Sequence, residues 1–436
     1  MDAAAVALVA LVLFAWGLFS ARLGRADLSA PIVFVTVGLL LVEVLHVVEL
    51  DVSHEAVKLL AEVTLVWVLF ADAARVRFRD LRGDLGLDTR LLAVGLPLTI
   101  AAGTLLAVWL FDGMGVWLAL LIGAALAPTD AALGAAVMID PAVPERVRRV
   151  LNVESGLNDG IATPVVTVAI AGAAAAESAQ GQGLGGALTD LAIGVAVGIV
   201  VGLVGGQAMR MARRRGWVTE DFTGPAVLAL ALAAYAGTLW LDGNGFVAAF
   251  VAGLAFGNVA GRGGAKEVSY VEQTAGLVSL LTWLIFGAVA VPIVVEQADW
   301  QVVGYAVLSL TVVRMLPVGV ALLGTGLPPR TVAFIGWFGP RGLASIIFAV
   351  LALEELHTEA DRAVAVIGIT VLLSVFAHGL SAKPLASRYG ASFADTTPRP
   401  AGVAASGEAP PQIPVRGLVR SHPAAETTHP GAGAAD

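Results

Sequence analysis

The sequence contains no cysteine among its 436 residues, and only 14% of the residues are charged. Without cysteine, neither disulfide bonds nor thiolate metal sites can form. The six histidines lack the spacing of metal ligands, which argues against a bound transition metal. Soluble domains are about 25% charged on average, whereas this chain is 58% hydrophobic. A soluble fold could not bury so much apolar surface, so the composition predicts an all-α polytopic membrane protein.

Long apolar runs define the predicted spans, since about 17–25 apolar residues can cross a membrane as a helix. We place about thirteen, at 2–20, 31–50, 56–74, 90–111, 115–139, 149–175, 186–208, 223–241, 244–260, 274–295, 301–324, 329–354 and 361–382. The first is interpreted as a spanning helix, because Asp2 stands where a signal peptide would be basic. Residues 391–436 are rich in Ala, Pro and Gly and are predicted to form a disordered tail.

Basic residues predict the orientation of the chain. Most of the 26 lysines and arginines follow odd-numbered spans, whereas only Lys58 and Arg362 follow even-numbered ones. By the positive-inside rule, the odd-numbered exits and the C-terminus are cytoplasmic, and the N-terminus is outside. We therefore expect a multi-pass protein of the cell membrane.

Two of the predicted helices are interrupted. Pro128 should break the fifth near 127–130, and the Gly-Pro-Arg-Gly stretch at 339–342 should break the twelfth. The two helices are seven apart, so helices 1–6 and 8–13 are predicted to form inverted repeats. Paired interruptions of this kind indicate a transporter's binding site at the middle of the membrane. Asp130 and Arg341 stand beside the breaks, whose free backbone ends favour opposite charges.

The sixth helix begins with polar residues, in the stretch ESGLNDGIATP at 154–164. Ser155 and Asp159 are spaced i, i+4 and share one helical face, and Glu154 and Asn158 share the adjacent face. The first pair can combine with two residues of the nearby break to supply hard oxygen ligands for an alkali cation. The predicted ligands at this site are Thr129, Asp130, Ser155 and Asp159.

The second polar face suggests an ion pair, because a charge in the membrane interior needs a partner or a function. We predict that Glu154 pairs with Arg341, with a structural role favoured over a transport role. The remaining carboxylate, Asp159, is then predicted to serve the transported ions. A carboxyl group that is buried away from water can bind and release a proton near neutral pH. Proton and cation would compete for it, and this competition is exchange.

These segments resemble the cation:proton antiporter 1 family, the bacterial NhaP and animal NHE sodium/proton exchangers. The stretch APTDAALGAAV at 127–137 is similar to the unwound Thr-Asp segment of the family, and NVESGLNDGIATP at 152–164 to its Glu-Ser-x-x-Asn-Asp helix. The stretch WFGPRGLASIIFA at 337–349 resembles its Arg-Gly segment, and AHGLSAKPL at 377–385 its last helix. The order and spacing of these motifs make the resemblance specific over residues 1–390.

The resemblance implies an NhaA/NHE-like fold with two crossed broken helices. It implies a membrane transport domain over 1–390, with a mobile core at about 90–175 and 301–382 and a dimerisation scaffold at about 1–74 and 186–295. Transport would be elevator-like, Asp159 would carry cation and proton alternately, and Asn158, as a further member of the ion-binding set, would mark electroneutral exchange. Glu154 and Arg341 would be the stabilising pair. Asp72 is a candidate for an additional acid of the family, and Ala131 replaces the usual proline after the Thr-Asp pair.

The leading functional hypothesis is an electroneutral Na⁺(Li⁺)/H⁺ antiporter, with a K⁺/H⁺ antiporter of the same fold as the alternative. An electrogenic exchanger is disfavoured by the neutral Asn158, and an intramembrane aspartyl protease by the absence of Gly-x-Gly-Asp. A non-transporting membrane sensor stays open. We expect no enzymatic activity, no cofactor and no nucleic-acid partner, but membrane lipids and a second copy of the chain. Roles for five other polar residues are left open, namely Glu43, His46, Glu62, Arg314 and His378.

Overall fold

The computed structural model describes residues 3–44, 54–76, 85–177, 184–261 and 264–394, and these residues form helices and no strands. The α-helices are α1 (Ala3–Arg25), α2 (Ala30–Leu39), α3 (His54–Arg75), α4 (Leu85–Arg90), α5 (Leu96–Leu110), α6 (Val116–Ala125), α7 (Ala131–Ile139), α8 (Glu145–Glu177), α9 (Leu184–Arg214), α10 (Glu220–Leu239), α11 (Gly245–Val259), α12 (Gly264–Ile285), α13 (Val291–Glu296), α14 (Trp300–Leu310), α15 (Val312–Ala321), α16 (Pro329–Trp337), α17 (Leu343–Leu356) and α18 (Asp361–Ala394).

Short turns of other helix types extend or join some of these elements. A π-helical turn at Leu40–Val44 extends α2, a second at Leu91–Gly95 joins α4 to α5, and a third at Phe286–Ala290 joins α12 to α13. A 3₁₀ turn at His357–Ala360 connects α17 to α18. The pairs α4–α5 and α12–α13 therefore each correspond to one predicted span, and the 3₁₀ turn lies in a predicted connection between two spans.

Helices lie within each of the thirteen predicted intervals. Within the ranges that the structure describes, eight helical stretches are long and apolar enough to cross a membrane by themselves, and three apolar helices are shorter. The all-helical architecture is thus confirmed, while the count of thirteen spans stays a prediction. The predicted disordered tail lies outside the described residues, except that α18 extends to Ala394.

The outer surface of the helices is apolar. Large hydrophobic side chains are strongly exposed, among them Trp109 at 74%, Leu105 at 69% and Phe14 at 64%. So much exposed apolar surface is unfavourable in water but is compatible with the hydrocarbon region of a bilayer. With the eight long apolar helices, this surface marks the chain as a multi-pass membrane protein.

One tightly packed group consists of α9, α11 and α3. Glycines of α9 at 194, 198 and 202 face α11 so closely that a Cβ on Gly198 would lie 2.7 Å from the carbonyl oxygen of Ala248. Further along α11, Gly257 faces the backbone of Ala74 on α3 in the same manner. Small residues at such contacts let helix backbones approach, which is how helices associate in lipid. These helices belong to the predicted scaffold.

Candidate ion-binding site

Two helices are broken where the sequence predicts. The first break separates α6, which ends at Ala125, from α7, which begins at Ala131. The second separates α16, which ends at Trp337, from α17, which begins at Leu343. Proline residues in both breaks lack the backbone donor that a continuous helix requires. Both breaks are confirmed.

The breaks cross each other, and Asp130 joins them. Its backbone N–H donates to the carbonyl of Pro340 at 2.8 Å. Its carboxylate accepts the N–H of Ala132 at 2.7 Å and, through the other oxygen, the N–H of Leu343 at 3.0 Å. The negative charge therefore lies at the N-termini of α7 and α17 together, where unpaired amides and the helix dipoles favour an anion.

Arg341 pairs with free backbone carbonyls, whereas Asp130 pairs with free backbone amides. Its guanidinium is fully buried, and Nη1 donates to the carbonyl oxygens of Ala127 at 3.0 Å and Pro128 at 3.3 Å. These carbonyls follow the C-terminal end of α6, where backbone acceptors lose their helical partners. Each of the two charges beside the breaks thus lies against freed backbone groups of opposite polarity, as the sequence favoured.

The predicted pair between Glu154 and Arg341 is wrong. Glu154 Oε1 instead lies 2.7 Å from Nη1 of Arg314, and both side chains are nearly inaccessible. The free carbonyls of the first break hold Arg341, so it does not reach the carboxylate, whereas Arg314 arrives from the neighbouring helix α15. Gly339 makes room for it, since a Cβ there would lie 3.0 Å from Cζ of Arg314.

A small polar cluster lies between the first break and α8. The hydroxyl oxygens of Thr129 and Ser155 are 3.0 Å apart, and Nδ2 of Asn158 donates to Oγ1 of Thr129 at 2.7 Å. All three side chains are buried. Among the described residues, Oδ1 of Asn158 has no hydrogen-bond partner. The structure thus brings together three of the predicted ion-binding residues and leaves one oxygen acceptor available.

Asp159 follows this cluster directly on α8. It is buried, one helical turn after Ser155, and its backbone carbonyl accepts the hydroxyl of Thr163 at 2.7 Å. Asp72 of α3 is also buried and faces the same stretch of α8, because a Cβ on Gly156 would lie 4.0 Å from its Cβ. One buried carboxylate, that of Asp159, is thus carried by α8 itself, and that of Asp72 belongs to the helix that faces this part of α8.

The donor set suits an alkali cation. Hydroxyl, amide and carboxylate oxygens are hard ligands. Over the described ranges, no group of three or more His, Cys, Asp or Glu residues could hold a resident metal ion. Asp130 has both carboxylate oxygens engaged by backbone amides, so its position also fits the alternative role of compensating the breaks.

Sequence reasoning did not assign three buried polar groups near the site. Arg314 was noted as deep in its span but was given no partner. Asp88 of α4 is buried and lies close enough to Glu154 for electrostatic interaction, although a single acid near a predicted helix start gave no signal. Ser374 of α18 was hidden within an apolar run.

Of the four other residues whose roles the sequence left open, the structure describes the side chains of two. Glu62 of α3, for which the sequence offered no partner, lies close enough to Tyr235 on α10 for electrostatic interaction. His378 is satisfied by a backbone carbonyl, that of Trp337, 3.0 Å from its Nε2, as the sequence favoured. His46 and the side chain of Glu43 lie outside the described part of the chain.

Comparisons with known proteins agree with this arrangement. A family model described as sodium/hydrogen exchanger, transmembrane, matches residues 7–388. The fold is similar to that of the sodium proton antiporter MjNhaP1 from Methanocaldococcus jannaschii, with a TM-score of 0.70 and 21% identity, covering 88% of this chain and 98% of that one. At this identity the likeness concerns the fold.

Relatives are similar in sequence along most of the chain. The K(+)/H(+) antiporter NhaP2 of Shewanella baltica is 26% identical over 394 residues, 89% of this chain and 67% of that protein. The K(+)/H(+) antiporter NhaP of Alkalimonas amylolytica is 25% identical over 334 residues, 75% and 57% respectively. The Na(+)/H(+) antiporter ApNhaP of Aphanothece halophytica is 25% identical over 394 residues, 85% and 73%. The chain therefore spans 57–67% of the length of these two K(+)/H(+) relatives.

The resemblance inferred from the motifs is thus confirmed over nearly the same residues. The family model covers most of the 436 residues, and the fold has the two crossed broken helices that the resemblance implies, so the chain belongs to the sodium/hydrogen exchanger family.

Proposed function

We propose that the protein is an electroneutral antiporter of the cell membrane that exchanges Na⁺ or Li⁺ for H⁺, with both ions competing for Asp159. The observation that carries the proposal is the position of this buried carboxylate, directly beside the Thr129–Ser155–Asn158 cluster and the crossing of the two breaks. Family membership supports the transport of cations and protons.

Proton and cation are expected to compete because both would bind the same negatively charged carboxylate, that of Asp159. A buried carboxylate is stabilised either by a bound proton or by a bound cation, since each of them balances its negative charge. The hydroxyls of Thr129 and Ser155 and the unpartnered Oδ1 of Asn158 could complete the shell of a dehydrated cation. Because Asn158 is neutral, one titratable site would exchange one proton for one monovalent cation. This stoichiometry moves no net charge.

A K⁺/H⁺ antiporter is the second candidate. The relatives from Shewanella baltica and Alkalimonas amylolytica carry this activity in their names, whereas the one from Aphanothece halophytica is named for Na⁺. Oxygen ligands alone set no size limit, so the same residues could accept either ion.

The transport cycle we propose is of the elevator type. The core would comprise α4–α8 and α14–α18, and the scaffold α1–α3 and α9–α13, through which two copies would form a homodimer. Hydrogen bonds from Asp130 and Arg341 across the two breaks support a core that moves as one body. The proposed orientation has the N-terminus outside and the C-terminus in the cytoplasm.

The test is exchange in proteoliposomes that contain a trapped pH-sensitive dye. Adding Na⁺, Li⁺ or K⁺ to vesicles with a preset pH gradient should collapse it, and the concentration dependence for each ion decides between the two candidates. An imposed membrane potential should not change the rate. If none of the three salts collapses the gradient, the exchanger proposal fails.

Replacing the shared carboxylate should have the largest effect. Asp159→Asn is expected to abolish exchange because the amide neither binds a proton in this pH range nor supplies the charge that the cation needs. The matched control is Asp112→Asn, which removes an exposed carboxylate and should leave the rate unchanged. Wild-type rates in correctly folded Asp159→Asn protein would refute the mechanism.

A further inference from the structure

Ser374 and His378 lie one turn apart on α18 and face the break between α16 and α17. Both side chains are buried, at 0% and 1% exposure. His378 also packs its ring against the indole of Trp337, with the ring centroids 5.0 Å apart. The exchange mechanism proposed above uses neither residue.

The hydrogen bonds of the pair form a directed chain. The backbone N–H of Arg341 donates to Oγ of Ser374 at 2.6 Å. At its other end, Nε2 of His378 is 3.0 Å from the carbonyl oxygen of Trp337. A carbonyl can only accept, so Nε2 carries the proton. Nδ1 lies 3.1 Å from the Ser374 hydroxyl and 3.0 Å from the Ser374 carbonyl oxygen. In the neutral ring with Nε2 protonated, Nδ1 has no proton to donate, so it accepts from the hydroxyl.

This series of hydrogen bonds fixes both ends of the break between α16 and α17. Trp337 is the last residue of α16, and Arg341 comes shortly before the start of α17. The break and the first residue of α17 hold Asp130 from two sides, through the carbonyl of Pro340 and the N–H of Leu343. A shift of this segment would therefore move Asp130 and, with it, the adjacent Thr129 of the polar cluster.

We propose that His378 is a positioning residue for the cation site, acting with Ser374 through the α16–α17 break. This rests on the proposed function but names a determinant of cation affinity that lies outside the ligand set. Within the described part of the chain, none of the hydrogen bonds of His378 involves a predicted ligand. Its effect passes through the backbone at 337 and 341 to Asp130 and Thr129.

The experiment compares KM and kcat for Na⁺, Li⁺ and K⁺ in proteoliposomes. His378→Ala should raise the KM of the transported cation by about three- to tenfold, the range expected when one net hydrogen bond is lost, with kcat within about twofold. Ser374→Ala should act in the same direction. Their double variant should not exceed the larger single effect by much, because both residues belong to one chain. His378→Gln keeps an N–H for the Trp337 carbonyl and should recover at least half of the loss.

Ser381→Ala is the matched control. It removes another hydrogen bond between α18 and α16, from Nε1 of Trp337 to Oγ of Ser381 at 3.0 Å, without touching the backbone of the break. Its KM should equal that of the wild type. An unchanged KM in His378→Ala, or an equal rise in Ser381→Ala, would overturn the positioning role.

A binding measurement separates this inference from the proposed function. Thermal unfolding in detergent, with NaCl, LiCl or KCl titrated against choline chloride, reports cation binding without transport. In His378→Ala the stabilisation should require about three- to tenfold more cation than in the wild type. If the wild type exchanges ions and the two titrations coincide, the positioning role is wrong. If the wild type neither exchanges nor responds to any of the cations, the proposed function itself fails.

Discussion

The packing of α9 against α11 differs in kind from the crossing of the two broken helices. At the first contact, glycines bring two continuous helical backbones together. At the second, backbone groups are left over, and charged or polar side chains from distant parts of the chain satisfy them. The first arrangement provides a rigid apolar body. The second provides a polar interior, beside which we propose that the cation binds.

This difference means that the two regions should fail differently. Removing one partner in the crossing strands a buried charge or a backbone group, which in a low-dielectric interior is severe. Disturbing the glycine contact changes only van der Waals packing. The predictions below compare variants of the two regions on a common scale of stability and exchange.

Arg314→Ala should produce the largest loss of stability. It leaves the buried carboxylate of Glu154 without its partner at 2.7 Å, and breaking a buried pair in this way costs about 3–5 kcal/mol. The double variant Glu154→Ala/Arg314→Ala strands no charge and should be less destabilised than Arg314→Ala alone. Folding yield and thermal unfolding in detergent measure both.

The control for this cycle is an exposed pair. Arg362 lies 2.6 Å from Asp299, with both side chains about a third or more exposed, so Arg362→Ala should change stability by no more than about 1 kcal/mol. If the double variant at 154 and 314 is less stable than Arg314→Ala, the assigned pairing is incorrect.

Gly198→Leu should have an intermediate effect confined to stability. A side chain there meets the carbonyl of Ala248, and overpacking of this kind costs about 1–3 kcal/mol. The KM for the cation should stay at the wild-type value, since the contact lies away from the broken helices. Gly237→Leu is the control, because a Cβ at that position of α10 has no neighbour within 4 Å. A raised KM in Gly198→Leu would show that the two regions are not independent.

The smallest effect is expected at Asp299, which caps α14. The amide of Val302 foremost, and then Arg362 and the amide of Gln301, hold the pKa of Asp299 below its ordinary value. A carboxylate with a lowered folded-state pKa stabilises the fold above its unfolded pKa of about 3.9, and this contribution is lost as the pH falls through the folded value. Asp299→Ala should cost about 1 kcal/mol at pH 7.

The pH dependence supplies the check on this capping role. The difference between Asp299→Ala and the wild type in thermal unfolding should shrink at pH 3, where the wild-type carboxylate begins to be neutralised. Asp299→Asn can still accept a backbone amide but cannot form the ion pair with Arg362, so its stability at pH 7 should lie between those of Asp299→Ala and the wild type. A difference that is equal at both pH values would mean that the ionised carboxylate contributes nothing.

The sequence predicts the breaks well because their cause is local. Pro128 lacks a backbone donor, and Pro340 lies in a Gly-Pro-Arg-Gly stretch whose glycines also disfavour a continuous helix, so both interruptions are visible in the local sequence. The i, i+4 spacing of Ser155 and Asp159 likewise fixes their common face before any tertiary contact is known. Helix positions could also be predicted, because apolar length is a property of each segment alone.

The ion pair could not be predicted, because its cause is not local. The sequence offered two deep arginines and no distances, and Arg341 was preferred for its place in a motif. What decided the outcome was the competition of the carbonyls of Ala127 and Pro128 for the guanidinium of Arg341. The link from His378 to Trp337 spans 41 residues and is likewise invisible without a fold.

Asp130 anchors α7 through one carboxylate oxygen and α17 through the other. Because one side chain accepts from both helices, adding or deleting a residue in either interruption would displace the carboxylate from both amides at once. The two halves of the chain are therefore coupled at this point, and an engineered change in the length of one interruption has to be matched by a change in the other.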